Sequence, residues 1–461
     1  MTLIALVDCS AFYCSCERLF RPDLRRRPVV VLSNNDGCII SRTAEAKALG
    51  IAMGTPYFKA RRRLERDGVA VFSSNYALYG DLSRRVMSVL ERFSPDVDVH
   101  SIDEAFLTLR AQRTRDGSPA PGERDRLAAR ADQIRATVLR ATGIPVRVSI
   151  ARTKTLAKAA SEYARAHGQT VCFWGHPDAE AFLDALPIED VWGVGPRWSA
   201  RLRSEGVATA RQFAALGDAR LRAHYSIAAL RTAWELRGIP CVPSGDGPVV
   251  RRTLVRSRSF GTATHDLAII QEAIATHAAR ASEKLRAEGL HAGALQAFLT
   301  TGRHATPARS GALSAPFAQP TASPFEIVRL ARRLVAACWR PADAAGRPYR
   351  YLKTGVLLTD LTPRAARQPD LFGPSATDSP GLLDAIDGIQ RRYGRHAIVI
   401  AAQGGPAALA RMHTAPGGRS WFLRRDHASA PCTTEWQSLP SVPSKRRDLV
   451  PDNPGCADRL V

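Results

Sequence analysis

Acidic residues are scarce in this sequence. Asp and Glu number 43 against 65 Lys and Arg among 461 residues, which gives a formal net charge of +22. This excess indicates a polyanionic partner, and nucleic acid is the simplest candidate ahead of a membrane surface. Long hydrophobic runs are also missing, because no apolar stretch approaches the ~20 residues that a bilayer-spanning helix needs. The N-terminus has no basic segment and carries Asp8 in its apolar stretch, which argues against a signal peptide.

Cysteines are few and scattered. The chain has nine, and only Cys14 and Cys16 lie close together, at a spacing that is unusual for a zinc site. We therefore expect reduced thiols in a cytosolic protein, without disulfides. What the sequence does contain is a hydrophobic fraction of 45%, and a chain of this length has room for about three to four packed domains.

Three carboxylates stand out because they lie in short apolar stretches typical of strands. Asp8 follows residues 3–7 (LIALV), and Asp103 and Glu104 lie within residues 99–107 (VHSIDEAFL). Burying such charges is costly unless they are paired or bind a metal. Consecutive strand residues face opposite sides, so Asp103 and Glu104 can share one site only near a strand end, bulge or turn. The three acids predict two-cation phosphoryl transfer, with a nuclease, turn capping or pairing with arginines as open alternatives.

Strand and helix patterns interleave up to residue 170, which favours an α/β or α+β core. Strands are expected at residues 3–8, 28–32, 97–102, 104–109 and 145–150, and helices at 43–49, 76–92, 123–141 and 153–166. Short helices follow over 186–240. After a second mixed domain we expect a helix at 381–393 and a strand at 396–402. A stretch rich in Ala, Pro, Ser and Thr, 304–324, is interpreted as a loop.

Four local sequences resemble the Y-family translesion DNA polymerases, and most closely their UmuC subgroup. They are residues 7–13 (VDCSAFY), 32–38 (LSNNDGC), 44–50 (AEAKALG) and 101–106 (SIDEAF). The resemblance covers nearly the whole chain and implies a multidomain α+β fold, a right-hand polymerase with a ferredoxin-like palm. It implies a palm at 1–20 and 76–172, fingers at 21–75, a helical thumb with a helix-hairpin-helix at 173–240, a linker at 241–249, a mixed α/β little finger at 250–362, and a clamp-binding peptide with a C-terminal extension at 363–461.

The activity that this resemblance implies is error-prone, template-directed DNA synthesis past lesions in the SOS response. Asp8, Asp103 and Glu104 become the catalytic ligands of two Mg²⁺ ions, which Mn²⁺ can replace, and the backbone carbonyl of Cys9 is a further ligand. Many relatives carry another acid two residues after the first, where this chain has Ser10. A non-catalytic repair scaffold that docks on the sliding clamp is the alternative, and a metal-dependent nuclease is a weaker one.

The nucleotide site is implied residue by residue. Tyr13 matches the steric gate that rejects a ribose 2′-hydroxyl, and its neighbour Phe12 is either a second nucleotide contact or, as we favour, a core aromatic. Lys47 and Arg165 match basic residues that hold the triphosphate, although Arg165 also suits a solvated helix-face charge. Many relatives have a Tyr where this chain has Ala44, so one triphosphate contact is missing or supplied elsewhere.

Two further segments are predicted to bind DNA. Gly193 and Gly195 lie in residues 191–196 (VWGVGP), which resemble a helix-hairpin-helix whose glycines let the backbone approach a phosphate; a plain turn is the alternative. Arg252, Arg256 and Arg258 share one face if their segment is extended. Such a face contacts the DNA backbone, or it keeps an edge strand soluble.

A short peptide after the little finger resembles the sequence that docks on the bacterial sliding clamp. It comprises Gln368, Leu371 and Phe372 within QPDLF, with the last two as buried anchors. The expected partners are primer–template DNA, a dNTP, the sliding clamp, a UmuD′-type dimer and RecA, with no membrane. The expected location is cytoplasmic, at the nucleoid.

Overall fold

The computed structural model describes residues 2–112, 120–167, 171–173, 181–243, 251–366, 380–394, 397–404 and 423–429. The described residues form two compact units. The first contains those within 2–31, 39–243 and 428–429, and the second contains 32–38 and those within 251–427. None of the described helices has the length and apolarity that a membrane span requires.

The strands in the described part of the chain are numbered in sequence order. They are β1 Thr2–Cys9, β2 Val29–Leu32, β3 Ile39–Arg42, β4 Ala70–Ser73, β5 Val97–Val99, β6 Glu104–Arg110, β7 Val146–Ala151, β8 Val171–Phe173, β9 Leu254–Thr264, β10 Leu290–Thr301, β11 Ser310–Thr321 and β12 Tyr351–Pro363. They form three sheets, in the orders β5-β6-β1-β7-β8, β3-β2-β4 and β11-β10-β12-β9.

The described α-helices are numbered in the same way. They are α1 Phe12–Leu19, α2 Ala44–Ala48, α3 Tyr57–Arg66, α4 Tyr76–Leu90, α5 Glu123–Thr142, α6 Lys154–Ala166, α7 Ala181–Ala185, α8 Pro196–Ser204, α9 Ala210–Ala214, α10 Asp218–His224, α11 Ile227–Leu236, α12 Leu267–Ala287, α13 Pro324–Cys338 and α14 Pro380–Tyr393. Short 3₁₀ turns lie at Pro22–Leu24, Asn34–Asp36, Ile188–Asp190, Arg364–Ala366 and Ala401–Gln403.

The five-stranded sheet separates two cores because side chains alternate along its central strand β1. Leu3, Ala5 and Val7 pack into one core with residues of α1, α4 and α5. Leu6 packs into the other with residues of α6 and of the helices α7–α11. The same alternation turns Asp8, two residues after Leu6, toward the side of the sheet that α6 covers.

The helices after β8 are held to α6 by a buried carboxylate. Glu235 on α11 is 1% exposed, and it accepts hydrogen bonds from the backbone N–H groups of Thr155 (3.1 Å), Cys241 (2.6 Å) and Val242 (3.1 Å). A buried charge needs such donors to offset its lost hydration. The prediction that 186–240 contains only short helices agrees with α8–α11.

The second unit is a four-stranded antiparallel sheet covered by α12 and α13. The interpretation of 304–324 as a loop is wrong, because β11 fills Ser310–Thr321. This strand lies at the sheet edge, where Pro316 and Pro320 cost little since an edge strand has one side whose N–H groups need no strand partner. Weak strand propensity is overridden here by pairing with β10.

The strand predicted at 396–402 is also wrong. Residues 401–403 form a 3₁₀ turn, and Ile400 and Ala402 pack against the core of the second unit. A short apolar run does not distinguish a strand from another buried segment. The predicted helix at 381–393 agrees with α14, which Arg286 of α12 anchors through two hydrogen bonds to Asp387, at 2.7 and 2.6 Å.

Candidate active site

Strand register brings two of the three acids to one place. In the antiparallel ladder of β1 and β6, Asp8 lies directly opposite Glu104, and directly opposed residues point to the same face. Asp103 precedes β6, and its carbonyl accepts a hydrogen bond from the Cys9 N–H at 2.9 Å. The adjacent acids thus straddle the end of a strand, which is the kind of location that the sequence predicted for a shared site.

The opposite neighbour of Asp8 is an arginine that sequence reasoning missed. Arg147 of β7 is paired with Asp8 in register, and its guanidinium lies 3.6 Å from the carboxylate. The available signal was one charged residue inside an otherwise apolar strand, residues 146–151 (VRVSIA). Asp8 is therefore flanked within the sheet by a carboxylate on one side and a guanidinium on the other.

Each acid has its own polar partner. Arg165 of α6 donates to Asp8 at 3.0 Å, Lys158 of α6 donates to Glu104 at 2.5 Å, and the Ser101 hydroxyl donates to Asp103 at 2.5 Å. Burial raises the pKa of Asp8, and the nearby Arg165 opposes that rise. Helix α6 thus supplies much of the positive charge that balances these carboxylates.

The donor set fits hard divalent cations. All three side chains offer oxygen, the ligand type that Mg²⁺ and Mn²⁺ favour. Besides burial, the negative charges of Asp8, Asp103 and Glu104 all raise the pKa of the Cys9 thiol, which places them around one point. With the side chains directed at separate partners, no described group of three or more His, Cys, Asp and Glu is arranged as a metal site. Arg165 contacts one oxygen of the Asp8 carboxylate, and Lys158 contacts one oxygen of the Glu104 carboxylate.

The two lysines near the start of α6 have different surroundings. Lys154 is 4% exposed and donates to Asp98 at 2.6 Å and to the Pro243 carbonyl at 2.8 Å. Lys158 lies 5.1 Å from the ring centre of Trp192 while it contacts Glu104. Lys158 is thus adjacent to the carboxylates, whereas Lys154 is committed to a structural ion pair.

Tyr13 lies on α1 within a cluster of tyrosines. Its ring stacks on Tyr79 with centroids 4.6 Å apart and planes 22° apart, and Tyr76 meets it edge-on at 5.9 Å. The Asp103 charge, after burial and Tyr76, helps to raise the pKa of Tyr13, so the ring lies near the acids. Phe12 is 3% exposed within the core, which agrees with the core interpretation and leaves its ring unavailable to a nucleotide.

Lys47 is exposed on the short helix α2. The helix begins after Thr43, whose hydroxyl accepts a hydrogen bond from the Ala46 N–H at 3.4 Å. Arg18 of α1 donates to Glu45 at 2.9 Å and ties α2 to α1. The lysine is thus held on an anchored helix with its side chain open to a ligand.

The two glycines of the predicted helix-hairpin-helix play different roles. Gly193 has φ of 92°, a left-handed conformation that other residues rarely adopt. Gly195 has φ of −85° and is the N-cap of α8, and a Cβ there would meet nothing within 4 Å. The turn itself requires only Gly193, so Gly195 leaves open space at a helix N-terminus where an anion can bind.

The predicted arginine face lies on the helix side of the edge strand β9. Arg256 is paired with Val356 in register. It is an even number of residues from Leu254 and Phe260, so it points to the same face of the strand as these two core residues. Arg258 follows on that face and is exposed, whereas Arg252 precedes the strand. The residues predicted to bind the sliding clamp, Gln368, Leu371 and Phe372, lie outside the described residues.

Comparisons with known proteins agree with this architecture. The sequence profile of the impB/mucB/samB family matches residues 7–162, and that of the family's C-terminal domain matches residues 251–371. The chain belongs to the impB/mucB/samB family. A third profile, a domain of unknown function called DUF4113, matches residues 380–442.

Relatives of this family span nearly the whole chain. UmuC of Salmonella typhimurium is 37% identical over 446 residues, which cover 95% of this chain and 99% of that protein. DNA polymerase IV of Desulfatibacillum aliphaticivorans is 31% identical over 404 residues, covering 87% and 96%. The predicted membership in the Y-family group is thereby confirmed.

A solved structure shows the same fold. A Y-family DNA polymerase chimera of Dbh and Dpo4 superimposes with a TM-score of 0.60 at 20% identity, covering 78% of this chain and 98% of the chimera. The predicted α+β right-hand polymerase fold is thereby confirmed.

Proposed function

We propose that this protein is an error-prone DNA polymerase that copies damaged templates by transferring nucleotides from dNTPs to a primer 3′-hydroxyl. The observation that carries the proposal is the pairing of Asp8 with Glu104 in register, beside Asp103 and below the basic helix α6. Relatives named DNA polymerase IV support the same activity. A scaffold would have no need for three acids gathered at a strand end.

The carboxylates Asp8, Asp103 and Glu104, with the Cys9 carbonyl, would hold the divalent cations. Two such ions, Mg²⁺ in our proposal with Mn²⁺ as a substitute, would supply positive charge that activates the attacking oxygen and neutralises the departing phosphates. Glu104, at the start of β6, would be the ligand that faces the primer end. A nearby cation would oppose the burial that raises the pKa of Asp8.

Positively charged side chains would bind the triphosphate of the incoming nucleotide. Arg165 and Lys158 already project from α6 to the carboxylates, so rotation of either side chain brings its charge to phosphates held beside them. Lys47 would add a charge from α2. Tyr13 would act as the steric gate, and the stacking of its ring on Tyr79 would support it against a 2′-hydroxyl.

Primer–template DNA would contact two regions beyond the carboxylates. Gly193 and Gly195 would approach a phosphate, and Arg252, Arg256 and Arg258 would contact the backbone without reading bases. The corresponding domains are the palm at 1–20 and 76–172, the fingers at 21–75, the thumb at 173–240 and the little finger at 250–362. The segment 363–461 would dock the sliding clamp and a UmuD′-type dimer with RecA during the SOS response, in the cytoplasm at the nucleoid.

One experiment separates polymerase, nuclease and scaffold. Primer extension and strand cleavage are measured with Mg²⁺ for the wild type, for Asp103→Asn, and for a control, Asp132→Asn, whose acid lies exposed on α5 beside Arg135. Extension by the wild type and the control but not by Asp103→Asn supports the proposal. Metal-dependent cleavage without extension indicates a nuclease. Neither activity, with clamp, UmuD′-type dimer and RecA supplied, indicates a scaffold.

A further inference from the structure

We propose that Ser429, in the C-terminal domain of unknown function, positions the steric gate and thereby contributes to the choice between deoxyribose and ribose. The inference rests on the proposed function, because it takes Tyr13 as the gate. The contacts behind Tyr13 involve a buried carboxylate, Glu17, that the proposed chemistry does not use.

Tyr79 is attached to α1 at two points one turn apart. Tyr13 and Glu17 are four residues apart and so lie on the same face of α1. The Tyr79 ring stacks on Tyr13, and its hydroxyl donates to the Glu17 carboxylate at 2.7 Å. Tyr79 is 0% exposed and Glu17 is 2% exposed. The position of the Tyr13 ring therefore depends on where Glu17 holds Tyr79.

Ser429 joins this pair from a distant part of the sequence. Its hydroxyl donates to the same Glu17 oxygen at 3.3 Å and accepts a hydrogen bond from the Asn75 side-chain N–H at 3.1 Å. The Asn75 side-chain oxygen accepts from the Leu78 N–H at 3.4 Å, at the start of α4. One hydroxyl thus links the carboxylate on α1 to the cap of the helix that carries Tyr79.

The directions of these hydrogen bonds are mutually consistent. Glu17 only accepts, Tyr79 only donates to it, and burial together with the Glu17 charge raises the pKa of the Tyr79 hydroxyl, which keeps its proton. The Asn75 amide uses its oxygen on the backbone, so only its N–H group faces Ser429. Hydrogen bonds to buried charged groups are stronger than neutral ones, so each donor matters to the position of Glu17.

Removing the Ser429 hydroxyl therefore loosens the support of the gate without touching the substrate. Glu17 loses one donor, Asn75 loses one acceptor, and the connection from Glu17 through Ser429 to the N-terminal cap of α4 is broken, while Tyr79 still donates to Glu17. The Tyr13 ring can then shift slightly, and this shift gives room beneath the sugar of the incoming nucleotide. Ribose has a 2′-hydroxyl that can occupy this room, whereas deoxyribose has none. We therefore expect sugar discrimination to change more than turnover of the dNTP.

The test is single-nucleotide incorporation by the full chain, with kcat and KM determined for a dNTP and the matching rNTP. For Ser429→Ala, the ratio of the two kcat/KM values should fall by about three- to tenfold, the range set by one lost hydrogen bond, with kcat for the dNTP nearly unchanged. Ser429→Thr keeps the hydroxyl and should keep the ratio. Ser310→Ala, at an exposed serine of β11, is the matched control and should behave as the wild type.

Two further variants separate this inference from the proposed function. Tyr79→Phe should reduce discrimination as Ser429→Ala does, and the double variant should lose less than the sum of the two, since both act through Glu17. If Tyr13→Ala loses discrimination while Ser429→Ala and Tyr79→Phe retain it, the inference is overturned and the gate stands. If Tyr13→Ala also retains it, the gate and the inference are both overturned.

Discussion

The guanidinium of Arg165 on α6 donates a hydrogen bond to the carboxylate of Asp8 on β1 at 3.0 Å. Asp8 is 8% exposed, and a carboxylate so placed needs a nearby positive charge. The same guanidinium also contacts Glu162, one turn earlier on α6, at 2.9 Å. Arg165 thus has a second partner on its own helix and can release Asp8 without losing every ion pair.

Replacement of Arg165 tests whether this residue transfers from Asp8 to the triphosphate. We expect Arg165→Ala to raise KM for the dNTP by about tenfold, the size of one charge-assisted contact, with a smaller change in kcat. Arg165→Lys should recover part of the loss, because lysine keeps the charge but not the forked geometry. Steady-state kinetics would measure both. Arg140→Ala, on the exposed face of α5, is the control. An unchanged KM for the dNTP in Arg165→Ala would show that Arg165 does not bind the triphosphate and is an ordinary surface charge.

A buried histidine makes the second unit sensitive to acid. Burial, together with the charges of Arg258, Arg280 and Arg256, lowers the pKa of His277 from 6.5 to about 3. Between these values the unfolded chain binds the proton and the folded chain does not. Stability should therefore fall as the pH falls through this range, by up to about 1.4 kcal/mol per pH unit, and this loss is absent above the unfolded pKa.

The measurement is the free energy of unfolding against pH for His277→Gln and the wild type. We expect the variant to have a flatter dependence below pH 6.5, the unfolded value. His265→Gln, at an exposed histidine of the same unit, is the control for replacement of a histidine by glutamine. If the free energy of unfolding depends on pH in the same way for the wild type and His277→Gln, the acid sensitivity does not come from His277.

The arginines of β9 are expected to contribute to DNA affinity through phosphate contacts. Replacing Arg256 and Arg258 together by Ala should reduce the slope of log K against log salt concentration by about two, with little dependence on template sequence. The control is Arg135→Ala with Arg140→Ala on α5, which removes the same charge elsewhere. DNA-binding isotherms over a salt series would measure this. Equal slopes in both double variants would favour a solubilising role on the edge strand.

The peptide at 368–372 predicts dependence on the sliding clamp. Replacing Leu371 and Phe372 by Ala should abolish stimulation of synthesis by the clamp and leave basal synthesis intact, because apolar anchors dominate such contacts. Replacing the intervening Pro369 and Asp370 by Ala is the matched control. Primer extension with and without clamp would measure the effect, and full stimulation of the Leu371 and Phe372 variant would refute the peptide's role.

Much of the fold was predictable because the sequence patterns agree with the tertiary structure. Strands predicted at 3–8 and 145–150 are short, mainly apolar stretches, and they match β1 and β7 within one residue. Side-chain alternation predicted that Asp103 and Glu104, if they share a site, lie near a strand end, a bulge or a turn, and the structure has the start of β6 there. These sequence patterns are local, and they agree with the packing of the same residues in the core.

The remainder depends on partners far along the chain. Strand β11 exists because β10 pairs with it, which a stretch of Ala, Pro and Ser does not indicate. Arg147 is recognised as a partner of Asp8 only from the register of β7 on β1. Ser429 lies 412 residues from Glu17, and no periodicity relates the two. Local pattern therefore identified the acids but neither their counterions nor the support behind Tyr13.

The ladder between β1 and β6 also determines what can be changed without loss of the carboxylate centre. Seven consecutive pairs run from Thr2 opposite Arg110 to Asp8 opposite Glu104. One residue inserted within β1 turns every later side chain to the other face, whereas an insertion after β6 leaves the register intact. A graft of this carboxylate centre into another scaffold should therefore include both strands, β1 and β6. Changes in chain length should be made in the loops.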